Sequence, residues 1–88
     1  MKMTVEEAIK KANDFMAQDN GHYIHLGMER KVVARERDDK KTYIRIDCYT
    51  LNGRYKGNYK CGSIDNDGNY SVNAYDEVNL ETMTYLGR

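Results

Sequence analysis

The stretch Lys40–Gly62, KKTYIRIDCYTLNGRYKGNYKCG, holds four tyrosines, six basic residues, one acid at Asp47 and an Asn-Gly pair at 52 and 53. Asn-Gly between alternating apolar residues is the strongest short hairpin signal, because both central residues of a type I′ turn need positive φ. With Asn52 and Gly53 as the whole loop, Leu51 faces Arg54, Thr50 faces Tyr55, Cys48 faces Gly57, Ile46 faces Tyr59 and Ile44 faces Cys61. The other parity pairs Tyr49 with Lys56, Asp47 with Asn58 and Arg45 with Lys60. One side of the hairpin is then Ile44, Ile46, Cys48, Tyr55, Tyr59 and Cys61. The opposite side is Arg45, Asp47, Tyr49, Arg54, Lys56, Asn58 and Lys60. A slip of one residue would mix the two sets, so the pattern itself supports the register.

The same reasoning extends in both directions. Residues 30–37 alternate polar and apolar types, and RDDKK at 37–41 reads as a turn. A three-residue loop at 38–40 sets Val32 and Ala34 beside Ile46 and Ile44, and extends the polar side through Val33, Arg35 and Arg37. Asp67-Gly68 reads as a second two-residue loop, which pairs Cys61 with Ala74, Ser63 with Val72 and Asp65 with Tyr70. YSVNAYDEV at 70–78 is then a fourth strand, and NLETMTYLGR at 79–88 is either a short fifth strand or a turn.

Ahead of the strands, TVEEAIKKANDFMAQDNG at 4–21 is helical. Thr4 and Glu7 have the spacing of a capping box. Val5, Ala8, Ile9, Ala12, Phe15 and Met16 follow one helical face, and Gly21 can take the left-handed conformation that stops a helix. The expected helix spans about 4–19. The expected fold is α+β: an N-terminal helix packed on one face of a four-stranded antiparallel β-meander, with a short fifth strand or turn at the C-terminus, in a single domain of residues 1–88.

A chain of 88 residues buries only about 60–65% of the surface its unfolded form exposes, which leaves little room for both a core and a deep substrate cavity. Aliphatic residues are sparse, so tyrosines must supply much of the apolar bulk. The net charge is zero, but residues 1–27 carry −1, residues 28–60 carry +5 and residues 61–88 carry −4. The start, MKMTVEEAIKKAND, has no apolar run after its lysine and reads as no signal peptide. No stretch approaches the ~18–20 apolar residues of a membrane span. The expectation is a cytoplasmic protein, with no membrane partner and with reduced cysteines.

Motif by motif, enzyme chemistry finds little support. In the hairpin register Cys48 and Cys61 share a side but lie four rungs apart. At about 3.4 Å per residue that separates them by more than ~10 Å, too far for a disulfide or one metal. They read as small buried thiols. His22 and His25 form an H-x-x-H with only Asp19 near it, short of the four ligands zinc wants. DNDGN at 65–69 lacks the glutamate of a calcium loop at the twelfth position, where Ala74 falls when counting from Ser63, and reads as a tight turn. There is no G-x-x-x-x-G-K-[ST], no G-x-G-x-x-G and no G-x-S-x-G. No catalytic residue, metal ligand or cofactor is expected.

What remains is the polar side of the sheet. Arg35, Tyr43, Arg45, Tyr49, Arg54, Lys56 and Lys60 form the expected binding face, with Tyr75 beside them. Tyrosine and arginine are enriched at the anchors of protein interfaces, and the same mixture holds single-stranded nucleic acid. A neutral chain argues against general nucleic-acid affinity, and a basic middle with an acidic end suits an oriented encounter with a protein. The leading expectation is a small non-enzymatic binding protein whose partner is another protein, including one that handles nucleic acid. Its style is that of the phage or mobile-element products that inhibit host machinery. The alternative is direct nucleic-acid binding, and the plain reading is a solvated face of cross-strand pairs. A homodimer through an exposed first or last strand is compatible with either function.

Overall fold

In the computed structural model, residues 1–18 and 28–86 are described. Helix α1 runs Val5–Ala17. Thr4 caps it: its hydroxyl accepts from the Glu7 amide at 3.0 Å, and the Glu7 carboxylate accepts from the Thr4 amide at 3.2 Å. Gln18 closes the helix, and the stop expected at Gly21 lies outside the described residues, as do His22 and His25. Ala8, Ala12 and Phe15 are buried, on the side that packs against the first two strands.

Those strands belong to a four-stranded antiparallel sheet in sequence order: β1 (Glu29–Glu36), β2 (Thr42–Tyr49), β3 (Tyr55–Ile64) and β4 (Tyr70–Ser71). A second, two-stranded sheet pairs β5 (Val78–Asn79) with β6 (Thr84–Tyr85). The architecture is thus the α+β arrangement expected, with the C-terminus forming a small hairpin of its own. Ile44, Ile46, Cys48, Cys61, Val78 and Leu80 are its largest fully buried side chains, so β5 and the turn after it supply core as well as β2 and β3. Among the described residues, no helix is long and apolar enough to cross a membrane.

All three hairpins of the large sheet close in one way. Arg37, Thr50 and Asp65 each donate from N–H to the carbonyl four residues on, at Lys41, Arg54 and Asn69. Each also accepts, at its own carbonyl, the N–H three residues on, from Lys40, Gly53 and Gly68. That residue is left-handed every time, with φ of 66° at Lys40, 86° at Gly53 and 84° at Gly68. This is a three-residue loop, a turn followed by one left-handed residue. It matches the expectation at 38–40 and corrects the two-residue loops expected at Asn52-Gly53 and Asp67-Gly68.

The two corrections differ in consequence. After the 51–53 loop, Tyr49 pairs with Tyr55 rather than Lys56, a one-residue shift. A bulge at Lys56 then takes up the extra residue, so Cys48–Gly57, Asp47–Asn58, Ile46–Tyr59 and Arg45–Lys60 pair as expected. Arg54 now closes on Thr50 rather than Leu51, and Tyr55 changes side: it is exposed, and its ring meets Tyr49 edge-on at 5.5 Å. A second irregularity, between the Arg45–Lys60 and Tyr43–Ser63 pairs where Ile44–Cys61 was expected, adds one residue to β3, and it acts together with the longer 66–68 loop. Ser63 pairs with Ser71 and Ile64 with Tyr70. The two shifts offset each other, so Tyr70 faces buried Ile64 rather than Asp65 and stays on the inner side that its register with Val72 predicts. Ala74, expected inside, is exposed because it lies beyond the end of the strand. The fourth strand stops after Ser71, because Asn73–Asp76 closes a turn on itself: the Asn73 amide donates to Asp76 Oδ2 at 2.8 Å and the Tyr75 amide to Asn73 Oδ1 at 2.8 Å.

Buried Tyr70 joins three segments. Its hydroxyl donates to the Cys61 carbonyl at 2.6 Å and accepts from the Leu80 amide at 2.8 Å. The ring passes over Gly62, where a Cβ would lie 2.6 Å from the hydroxyl and 2.7 Å from the Ser71 carbonyl oxygen. Gly62 also has φ of 90°, which a side chain would strain. Tyr70→Phe leaves the buried Leu80 amide and Cys61 carbonyl without that partner. It should cost about 1–3 kcal/mol in chemical denaturation, with Gly62→Ala costing at least as much. A Tyr70→Phe protein as stable as the parent would remove the hydroxyl from this role.

Candidate functional site

Register alone brings part of the expected face together. Val33, Arg45 and Lys60 form one rung across β1, β2 and β3, and Arg35 faces Tyr43 one rung along. The 73–76 turn rises beside them. Between sheet and turn lies an open cleft of about 320 Å³, lined by Arg35, Tyr43, Arg45 and Lys60 together with Arg37, Tyr75 and Asp76. Four of the seven expected residues thus share one cavity. Tyr49, Arg54 and Lys56 do not line it; they sit at or near the 51–53 loop. There Tyr49 packs on Tyr55, the Lys31 ammonium lies 5.4 Å from the Tyr49 ring centre, and Asn58 donates to the Tyr55 hydroxyl at 2.7 Å.

The cations of the cleft are not equivalent. Arg45 Nε donates to Asp47 Oδ1 at 2.8 Å, and a second guanidinium nitrogen donates to Oδ2 at 3.3 Å. The Asp47 side chain is only 5% exposed, against 30% for Arg45. Arg45 is therefore the lid and counter-charge of a buried carboxylate, and its own charge is spent. Asp47, read from the sequence as one polar residue among several, is buried on the open side of the sheet. Like charges directly opposite are unfavourable in a sheet, and this pairing is what lets Arg45 face Lys60.

Arg37 is held differently. Its guanidinium carbon sits 4.3 Å from the centre of the Tyr43 ring. The Tyr43 hydroxyl donates to Asp39, which lies in the first hairpin loop. That hydrogen bond pushes the phenol up from its ordinary range and holds the Asp39 carboxyl below its own, so the pair is neutral donor and charged acceptor. Among the described residues, Arg35, Arg37 and Lys60 make no ion pair. Tyr75, 79% exposed, stands on the turn with its ring uncovered. Asn73 and Asp76 also line the cleft, outside the binding face expected from the sequence. Their three-residue spacing is a side-chain-capped turn, legible only once the fourth strand is known to stop early.

The other candidate chemistries can be placed too. Cys48 and Cys61 are free and buried, and burial pushes both thiols up, Cys61 far above the ordinary range. The Asp65 carboxylate accepts from the Asp67 and Asn69 amides at 2.9 Å each and from the Asn69 side chain at 3.2 Å. These bonds hold it below the usual carboxylate range and make it the cap of the third hairpin loop. Among the described residues, no three His, Cys, Asp or Glu side chains converge as metal ligands would.

Two outcomes test this geometry. Arg45→Gln should cost about 1–3 kcal/mol in denaturation, the penalty for leaving a buried acceptor unmatched. Adding Asp47→Asn should recover most of it, whereas Lys60→Gln should stay within about 0.5 kcal/mol of the parent. Neither cysteine should react with iodoacetamide at neutral pH in the native protein, and both should react once it is denatured; native alkylation would contradict the burial. Comparison with models of known protein families, with curated protein sequences and with solved structures gave no match.

Proposed function

We propose that this chain is a non-enzymatic binding protein that docks on another protein through the basic, tyrosine-bearing face of its sheet. The observation that carries the reading is the cleft: three cations with no ion pair among the described residues, Arg35, Arg37 and Lys60, gathered in one concavity with a bare tyrosine at its side. Cations left unpaired by their own chain are available to a partner's anions. Burying one tyrosine and two arginines supplies the residue types that dominate measured interface energies. Tyr49 and Tyr55, with Lys31, continue the same face toward the 51–53 loop, where Leu51 is 82% exposed and adds an apolar contact. The face is thus long enough to include more than the cleft.

Arg45 is a poor probe because its loss uncovers Asp47. Arg35→Glu with Lys60→Glu reverses two cations that neutralise nothing inside the protein. The double variant should match the parent in thermal stability, and it should bind a partner captured by the parent at least tenfold more weakly in a titration with the purified pair. Equal affinity would take this face out of the function. Parental binding to oligonucleotides, falling steeply with salt, would instead support direct nucleic-acid binding.

A further inference from the structure

We infer that the cleft seats an extended acidic segment of the partner polypeptide, with a carboxylate side chain between Arg35, Arg37 and Lys60 and the segment's backbone amides toward the Asn73–Asp76 turn; this rests on the reading of the face as a protein-docking surface.

Charge accounting comes first. Of the four cations lining the cleft, Arg45 is matched by Asp47, and the other three make no ion pair among the described residues, Arg37 feeling the Asp39 carboxylate only through space. Two of those three are arginines, whose planar forks fit a carboxylate with two parallel hydrogen bonds. Arg37 is also held in advance, stacked on a Tyr43 ring whose hydroxyl is tied to Asp39. A pre-positioned fork loses less freedom on binding than a free one.

The opposite wall discriminates among anions. It carries Asn73 and Asp76; Asn73 Oδ1 and Asp76 Oδ2 already accept from the Tyr75 and Asn73 amides, and the second oxygen of the Asp76 carboxylate keeps an acceptor and a negative charge in the lining of the same cavity. A ligand complementary to both walls needs negative charge on one side and hydrogen-bond donors on the other. An acidic peptide offers both within a few ångströms, carboxylates from side chains and N–H groups from the backbone. A DNA strand has no donor on its sugar-phosphate backbone, and its next phosphate would meet Asp76. Size agrees: about 320 Å³ is at the low end of ligand cavities, enough for a side chain and its flanking backbone. Tyr75, beside this wall, is placed to cover the seated segment.

The test uses the full chain and three labelled probes in fluorescence anisotropy: a short peptide alternating glutamate with valine, its glutamine counterpart, and a single-stranded thymidine oligonucleotide, each at two salt concentrations. The glutamate peptide should bind saturably, the glutamine peptide at least tenfold more weakly, and the oligonucleotide more weakly than the glutamate peptide. Arg35→Gln with Arg37→Gln should weaken the glutamate peptide at least tenfold at unchanged melting temperature. Lys10→Gln, on the helix and paired there with Asp14, should change nothing. Absent or charge-independent peptide binding overturns the inference, as does tighter oligonucleotide binding with a steep salt dependence. If charge reversal at Arg35 and Lys60 abolishes capture of the partner while the glutamate peptide neither binds nor competes, this inference fails and the docking reading stands. If charge reversal leaves capture intact, both fall.

Discussion

The Tyr70 hydroxyl sits between the Cys61 carbonyl on β3 and the Leu80 amide in the turn after β5, with its ring over Gly62. Much of the molecule's second half is arranged by that contact. β4 is only two residues long and its ladder alone would hold little. The inward tyrosine fixes it from below, and the N-terminal residues fix it from the outer side, where the Tyr70 amide donates to the Met1 carbonyl at 2.8 Å. From there the chain turns at 73–76 and returns along β3, with the Glu77 amide donating to the Lys60 carbonyl at 2.8 Å. The turn that forms one wall of the cleft is thus held at both ends. A buried hydroxyl satisfied on both sides is worth more to uniqueness than to net stability, because its alternatives leave backbone groups unpaired in the core.

Electrostatics divides the open face by function. The carboxylates nearest the cleft are already engaged: Asp47 by Arg45, Asp39 by Tyr43, and one oxygen of Asp76 by the Asn73 amide. Among the described residues none of these carboxylates is in ion-pair contact with Arg35, Arg37 or Lys60, and Asp39 acts on Arg37 only through space. A zero net charge is compatible with a locally cationic cleft because charge acts over about a Debye length, ~8–10 Å in physiological salt.

Comparing the readings residue by residue shows where sequence reasoning succeeds. The helix start was legible because Thr4 and Glu7 act on backbone groups three residues away. The Ile46–Tyr59 and Arg45–Lys60 pairs were legible because alternation over eight residues tolerates one local error. That error occurred: a longer loop at 51–53 was compensated by the bulge at Lys56, and the re-pairing was confined to Arg54 and Tyr55 between the two. At 66–68 the same error was offset by the irregularity in β3 between Lys60 and Ser63, so Tyr70 stayed inward opposite Ile64, and Ala74 came out because the strand ended at Ser71.

The sequence by itself determined where the chain bends, which residues of β2 turn inward and that the middle third is basic, because turn chemistry and alternation act through neighbours along the chain. Tertiary structure decided whether a given residue counts in a loop or a strand, that the Tyr70 hydroxyl meets the Cys61 carbonyl and the Leu80 amide, that Asp47 is buried under Arg45, and that Arg37 and Tyr75 join Arg35 and Lys60 in one cleft. Asn-Gly and Asp-Gly satisfy two-residue and three-residue loops alike. The choice between them falls to what each register buries on its inner face, and that energy depends on residues distant in sequence.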